Sequence, residues 1–121
     1  MSLLESGENY LEAILMLSQK QSEIHAIDIV NQLGYSKPSV SVMLKKLKED
    51  GYLVIDANSH ITLTEKGMTI ADKIYHRHQI LTAFFVHLGV DETIAETDAC
   101  KIEHDLSDES FDAIEQLLKN I

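Results

Sequence analysis

Cys100-Lys101-Ile102-Glu103-His104 brings a thiol, a carboxylate and an imidazole into one short stretch. On a helix, Cys100, Glu103 and His104 stand at i, i+3 and i+4 and share a face. A mixed sulfur, oxygen and nitrogen set suits iron, manganese, cobalt or zinc better than calcium or magnesium. Two further groups offer donors. His78 falls on the stripe formed by Ala71, Ile74, Leu81, Phe85 and Leu88, where an imidazole needs a partner. Asn9 and Glu12 are three apart on one helix face. Each feature has a plain reading: His78 as a satisfied core histidine, Asn9 and Glu12 as an ordinary polar face, Cys100 as a small hydrophobe. Glu96, one turn before Cys100, reads as solvated. Donors on one face of three separate helices, taken jointly, predict a metal site.

The elements that position these groups follow from periodicity and capping. The first helix is predicted from about Leu4 to Gln19, with Tyr10, Leu11, Ile14, Leu15 and Leu17 apolar. A second runs from Ala26 to Leu33 and stops at Gly34. Ser36 caps a third, with Pro38 in its first turn; it ends at Asp50 before Gly51 and buries Val40, Met43, Leu44 and Leu47. The β-rich runs Tyr52–Ile55 and His60–Leu63 flank a polar tip and read as a hairpin. Thr64 caps a long fourth helix, Glu65 to about Leu88, closed by Gly89. Asp91 caps a fifth, reaching about Leu106, and Ser107 or Asp108 caps a sixth, ending near Asn120.

Three helices followed by a hairpin is the winged helix-turn-helix order. The helix from Ser36 to Asp50 is then the one that enters the major groove. Its first turns hold Ser36, Ser39 and Ser41, small enough for close approach and able to hydrogen-bond phosphates. Lys37, Lys45 and Lys46 add positive charge, and Asn58 and Ser59 form the tip of the wing. No residue is an obvious base reader; Val42 offers apolar contact, for example to a thymine methyl. The plain reading is a scaffold with lysines on a solvated face.

The formal net charge of −10 argues against a wholly nucleic-acid-coating protein. The distribution argues for a local one. Ser36 to Lys48 carries four lysines and no acid, whereas the chain after Thr62 carries twelve acids against five basic residues. A basic stripe binds phosphates even on an acidic protein. With 121 residues, one cysteine, one proline and no long apolar run, the chain predicts a compact cytoplasmic protein without internal disulfide, signal peptide or membrane span.

Five stretches together carry a family resemblance: Glu8-Asn9-Tyr10-Leu11-Glu12, Ser36-Lys37-Pro38-Ser39-Val40-Ser41, Leu63-Thr64-Glu65-Lys66-Gly67, Arg77-His78-Gln79-Ile80-Leu81, and Cys100 through Ser107. In order and spacing the chain resembles the diphtheria toxin repressor family of metal-dependent regulators, above all its short manganese transport regulator branch. The resemblance implies a mainly α fold: a winged helix-turn-helix DNA-binding domain over residues 1–63, then an all-helical metal-binding and dimerisation domain over 64–121. It implies Mn2+ or Fe2+ as cofactor, double-stranded operator DNA and a homodimer as partners, and repression of metal-uptake genes. Family ligand positions fall on Asn9, Glu12, His78, Cys100, Glu103 and His104, and DNA-contacting positions on Ser36, Pro38, Ser39 and Ser41. The ligand set is a hybrid. Glu12 matches the manganese branch, Cys100 the iron-responsive branch in place of a bridging glutamate, and Asn9 neither. One ion, or a main ion with a weaker second one near Glu96 or Gln79, both remain open. The SH3-like domain of longer iron-responsive members has no counterpart, and Val42 replaces a glutamine of the iron branch.

The implied mechanism is a clamp in which metal selects the subunit arrangement that sets recognition helices ~34 Å apart, or a multiple of it. The dimer surface is expected among Phe84, Phe85, Val86, Leu88, Ile94, Phe111, Ile114, Leu117 and Leu118. The rival reading is a winged-helix regulator that answers a small molecule or redox state without metal, with Cys100 as the sensing thiol. A small metallohydrolase is disfavoured: no nucleophile motif or phosphate-binding glycine loop is present, and Asp105 reads as a supporting or surface acid.

Overall fold

The computed structural model describes residues 5–121, so the predicted start at Leu4 lies outside the described residues. The elements are α1 (Glu5–Ser18), α2 (Ala26–Leu33), α3 (Lys37–Glu49), β1 (Leu53–Ile55), β2 (Ile61–Leu63), α4 (Glu65–His87), α5 (Glu92–Ile102) and α6 (Asp108–Lys119). The chain divides into two compact units, Met1–Asp72 and Lys73–Ile121, with the division inside α4.

The first unit is the winged helix-turn-helix that the order of elements predicts. Tyr10, Leu11, Ile14, Leu15 and Leu17 of α1 are buried, together with Ile29 of α2 and Val40, Leu44 and Leu47 of α3. Full burial of such side chains contributes about 1.5–3 kcal/mol each relative to exposure. The turn before α3 is set locally. Gly34 adopts φ 75°, a left-handed conformation that glycine tolerates, and its N–H bonds Val30 O at 2.8 Å. Ser36 Oγ then accepts the Ser39 N–H at 3.2 Å, and Pro38 sits in the first turn of α3.

The wing is an antiparallel pair in register Leu53↔Leu63, Val54↔Thr62 and Ile55↔Ile61. Leu53 and Ile61 are buried while Val54 and Thr62 face out, the alternation a half-buried ribbon requires. Asp56 builds the tip: its Oδ1 accepts the Asn58 and His60 N–H groups at 2.8 and 2.9 Å. These bonds, that of His60 first, hold the Asp56 carboxyl below its ordinary range, helped by the neighbouring His60 and His25. Ile61 N–H donates to Ile24 O at 2.8 Å and ties the ribbon to the segment before α2. At the foot of the wing, the Tyr52 carbonyl lies so close to Gly67 of α4 that any Cβ there would overlap it.

The second unit is helical. Leu81 of α4, Ala99 of α5 and Phe111 of α6 form its buried core, packed by Ile80, Ile102, Leu106 and Ile114. Gly89, at φ 99°, ends the α4 segment, Asp91 caps α5 and Ser107 caps α6. Two expectations are corrected here. α5 stops at Ile102 rather than near Leu106, so Glu103 and His104 lie in the following turn. Past the helix end, the Arg77 guanidinium donates to the carbonyls of Glu103 and Leu106 and so holds the turn that replaces the expected last helical turn. Phe111, expected on a dimer surface, is a core residue at 5% exposure, because it fills the space facing Leu81 and Ala99. Phe84 and Phe85 are half-buried, and Val86, Leu88, Ile94 and Leu117 stay exposed.

Candidate metal centre and DNA-reading face

Glu103 is the centre of the donor group in the second unit. Its residue exposure is 0%, although a buried carboxylate is costly unless compensated. α4 presents His78 to it, with Nδ1 2.9 Å from Glu103 Oε2. In the neutral tautomer Nδ1–H donates to the carboxylate, which fixes the ring and puts the lone pair on Nε2. His104, the next residue in the turn, has a side chain only 2% exposed, with Nε2 3.4 Å from Glu103 Oε1. Oε1 is buried and makes no hydrogen bond among the described residues. A buried carboxylate with one imidazole at each oxygen fits a divalent transition ion: imidazole and carboxylate are both suitable donors. The pairing of a carboxylate with an imidazole N–H is also the arrangement that orients metal-ligating histidines.

The turn that carries Glu103 and His104 is held from α4 as well. Arg77 is 5% exposed, donates through Nη1 to Glu103 O at 3.0 Å and Leu106 O at 2.7 Å, and through Nη2 to Asp108 Oδ1 at 2.5 Å. Lys73 lies 3.3 Å from the same Asp108 oxygen. Lys73, and then Arg77, hold the Asp108 carboxyl below its ordinary range. Arg77 belongs to one of the five family stretches, but neither pattern nor resemblance assigns it a role. The available signal was its place three after Ile74 and four before Leu81, a cation on a buried stripe, which demands anionic or carbonyl partners.

The structure thus gathers His78, Glu103 and His104. Cys100, one turn earlier on α5, is exposed. Asn9 and Glu12 lie on α1 in the first unit; Asn9 is half-buried and Glu12 is buried. Asp105 is exposed.

The DNA-reading candidates all lie on one element. Ser36, Lys37, Pro38, Ser39, Ser41, Lys45 and Lys46 are exposed, while Val40, Leu44 and Leu47 turn inward. Val42 is 71% exposed, an apolar side chain presented to solvent in the middle of this basic face. A cleft of about 300 Å³ beside α3 is lined by Ser41, Lys45, Lys48 and Ser59, so lysines and the wing tip border one concavity.

Comparison with known proteins agrees with both halves of this description. The N-terminal DNA binding domain of the iron dependent repressors matches residues 2–61, and their metal binding and dimerisation domain matches residues 64–121. The chain is 36% identical over 114 residues to the HTH-type transcriptional regulator MntR of Bacillus subtilis (strain 168), covering 94% of this chain and 80% of that protein. Among solved structures it is similar to the metal-dependent transcriptional regulator MtsR (27% identity, TM-score 0.85, 93% of this chain) and the manganese regulator SloR (28%, 0.82, 98%). The chain spans about half the length of these solved chains, 53% and 55%. No helix among the described residues is long and apolar enough to cross a membrane. With both family domains matched in order across nearly its whole length, this chain belongs to the iron-dependent repressor family.

Proposed function

We propose that the chain is a cytoplasmic, metal-responsive repressor that binds double-stranded operator DNA as a homodimer when Mn2+ or Fe2+ is bound, and so controls metal-uptake genes. The observation that carries this reading is the fully buried Glu103 carboxylate between two imidazoles, in a chain that also presents an exposed basic recognition helix. The similar manganese regulator SloR supports manganese, and the family description supports iron. The working division is residues 1–63 for DNA binding and 64–121 for metal and dimerisation. The proposed ligands are His78, Glu103 and His104, with Asn9, Glu12 and Cys100 completing the set. The chain acts by binding, not as an enzyme.

In this reading each residue has a task. His78 Nδ1 and Glu103 Oε2, 2.9 Å apart, face one another and would exchange that contact for the ion, with His104 beside Glu103 Oε1. The bound dication supplies positive charge that compensates the buried carboxylate and fixes its ligands relative to one another. Ser36, Ser39 and Ser41 approach the duplex, and Lys37, Lys45 and Lys46 neutralise phosphates. Exposed Val86, Leu88, Ile94 and Leu117 give the second unit apolar surface for a second copy. The metal shifts the equilibrium only by its preference for the DNA-competent arrangement, so operator DNA must raise metal affinity by the same factor.

The deciding experiment is an operator gel-shift series with Mn2+, Fe2+, Zn2+ and chelator, repeated for His78→Ala. The wild type should shift only with metal, and H78A should lose the metal response. Metal-indifferent binding by the wild type would favour the second reading, a redox-responsive regulator sensing through the exposed Cys100.

A further inference from the structure

Arg77 is a buried cation whose hydrogen bonds go to main-chain carbonyls and to Asp108 rather than to the proposed donor side chains. Its guanidinium instead spends its donors on the backbone and on α6: Glu103 O at 3.0 Å, Leu106 O at 2.7 Å and Asp108 Oδ1 at 2.5 Å. It also stacks 5.2 Å from the centroid of the Phe111 ring, within the core of the second unit. These partners bracket one segment. Glu103 through Ser107 is the turn between α5 and α6, and it carries Glu103 and His104 outside any helix.

A turn has no regular hydrogen-bond ladder to fix its side chains. Its backbone contacts here include Glu103 N–H to Ala99 O at 2.9 Å and Asp105 N–H to Ile102 O at 3.0 Å. The carbonyls of Glu103 and Leu106 are taken by Arg77. Consecutive residues of α4 therefore grip the same glutamate at its two ends. Arg77 holds the main-chain oxygen of Glu103, and His78 holds its carboxylate. A planar guanidinium reaches two carbonyls and a carboxylate at once; a lysine ammonium is a point charge without that fork.

We propose that Arg77 is the positioning residue of the metal centre, pinning the α5–α6 turn so that Glu103 and His104 are set for the ion before it arrives. The inference rests on reading Glu103 and His104 as ligands. Asp108 and Lys73 complete the device: Asp108 anchors Nη2, and Lys73 anchors Asp108. Pre-set ligands bind tightly because little ordering remains when the ion binds. Loss of such outer partners typically weakens metal binding about 10- to 100-fold.

The test compares wild type, Arg77→Lys and Asp108→Asn, each as the full chain. Mn2+ affinity is read by calorimetry, ligand geometry by the visible absorption of Co2+, and turn mobility by amide exchange without metal. R77K should bind Mn2+ about 10- to 100-fold more weakly, with an altered Co2+ spectrum and faster exchange at residues 103–107. D108N releases only Nη2 and leaves both carbonyl bonds, so its loss should be smaller, about three- to tenfold. An arginine that served stability alone would lower the melting temperature and leave the Co2+ spectrum unchanged. A folded R77K with wild-type Mn2+ affinity and an unchanged Co2+ spectrum overturns the role of Arg77. If R77K fails to fold, D108N decides, and wild-type affinity there overturns it equally. A wild-type chain that binds neither ion overturns the metal reading itself and this inference with it.

Discussion

Glu103→Gln separates the fold from the metal site more cleanly than any other single change. The amide keeps the shape of the side chain and keeps an oxygen for the His78 Nδ1–H, now 2.9 Å away. What it loses is charge. Without metal, a charge-assisted hydrogen bond becomes a neutral one, a loss of about 1 kcal/mol. Removing a fully buried carboxylate from the interior also relieves a desolvation cost of opposite sign. The metal-free protein should therefore melt within about 4 °C of wild type, taking about 0.25 kcal/mol per degree for a chain of this length. Metal binding should respond far more. Loss of a supporting partner already costs about 10- to 100-fold, so loss of the anionic ligand itself should cost at least about 100-fold.

Those magnitudes convert to a melting experiment. With Mn2+ at ~100 times the wild-type Kd, binding stabilises the folded state by about 2.7 kcal/mol, or about 10 °C. In E103Q the same concentration stands near the new Kd, giving about 0.4 kcal/mol and under about 2 °C. Differential scanning fluorimetry at fixed protein concentration, with and without Mn2+, reads both quantities in one series. An E103Q protein that retains the full metal-induced rise would refute the assignment of Glu103 as a ligand.

Three further outcomes follow from particular contacts. Lys45→Gln should weaken operator binding across all sequences and reduce the slope of log affinity against log salt by about 1.8, about 0.9 for each of the two copies, measured by anisotropy titrations. Asp56 has a depressed carboxyl, so its contribution to the wing is present above the ordinary carboxylate value and is lost as pH falls through the lowered one. Protection of the Asn58 and His60 amides, relative to their intrinsic exchange rate, should accordingly hold at pH 6 and be lost well below pH ~4; in Asp56→Ala it should be low throughout. Gly67→Ala forces a Cβ into the Tyr52 carbonyl and should destabilise the protein by about 1–3 kcal/mol, read from denaturant melts.

The elements were legible wherever a local signal sets them. Gly34, Ser36 and Pro38 mark the start of α3, and Gly89, Asp91 and Ser107 mark later ends, because caps act on the residues beside them. The β-rich runs Tyr52–Ile55 and His60–Leu63 around a polar tip marked the wing for the same reason. The turn after α5 was not legible, since its carbonyls are held by Arg77, 26 residues away in sequence from Glu103. The face shared by Cys100, Glu103 and His104 presumed a helix running past Ile102, where it stops; in the structure Cys100 is exposed while Glu103 and the His104 side chain are buried. Periodicity also cannot distinguish a residue that fills a core from one that covers a partner. Phe111 and Leu117 look alike in the sequence, yet one is 5% exposed and the other 55%.

The contacts that shape the recognition helix bear on how a switch can work here. α3 is fixed by Ser36 at its start, by Gly34 before it and by its own buried Val40, Leu44 and Leu47. The wing is fixed by Asp56 and by the Ile61–Ile24 bond. All of these lie within the first unit. Of the proposed metal donors, His78, Cys100, Glu103 and His104 lie within the second, and Asn9 and Glu12 lie on α1 of the first, outside α3 and the wing. Removing metal should therefore leave the DNA-reading surface folded, so far-UV circular dichroism should change little. The metal-free protein should also keep weak, sequence-independent DNA binding with nearly the same salt slope, because the lysines are still displayed. What metal adds must then be the arrangement of two such surfaces on one operator, where the spacing of recognition helices is a geometric requirement. Couplings of this kind amount to about 1–3 kcal/mol, or 5- to 150-fold in affinity. A metal response confined to specific operator binding, with non-specific binding unchanged, distinguishes this mechanism from one in which metal folds the reading head.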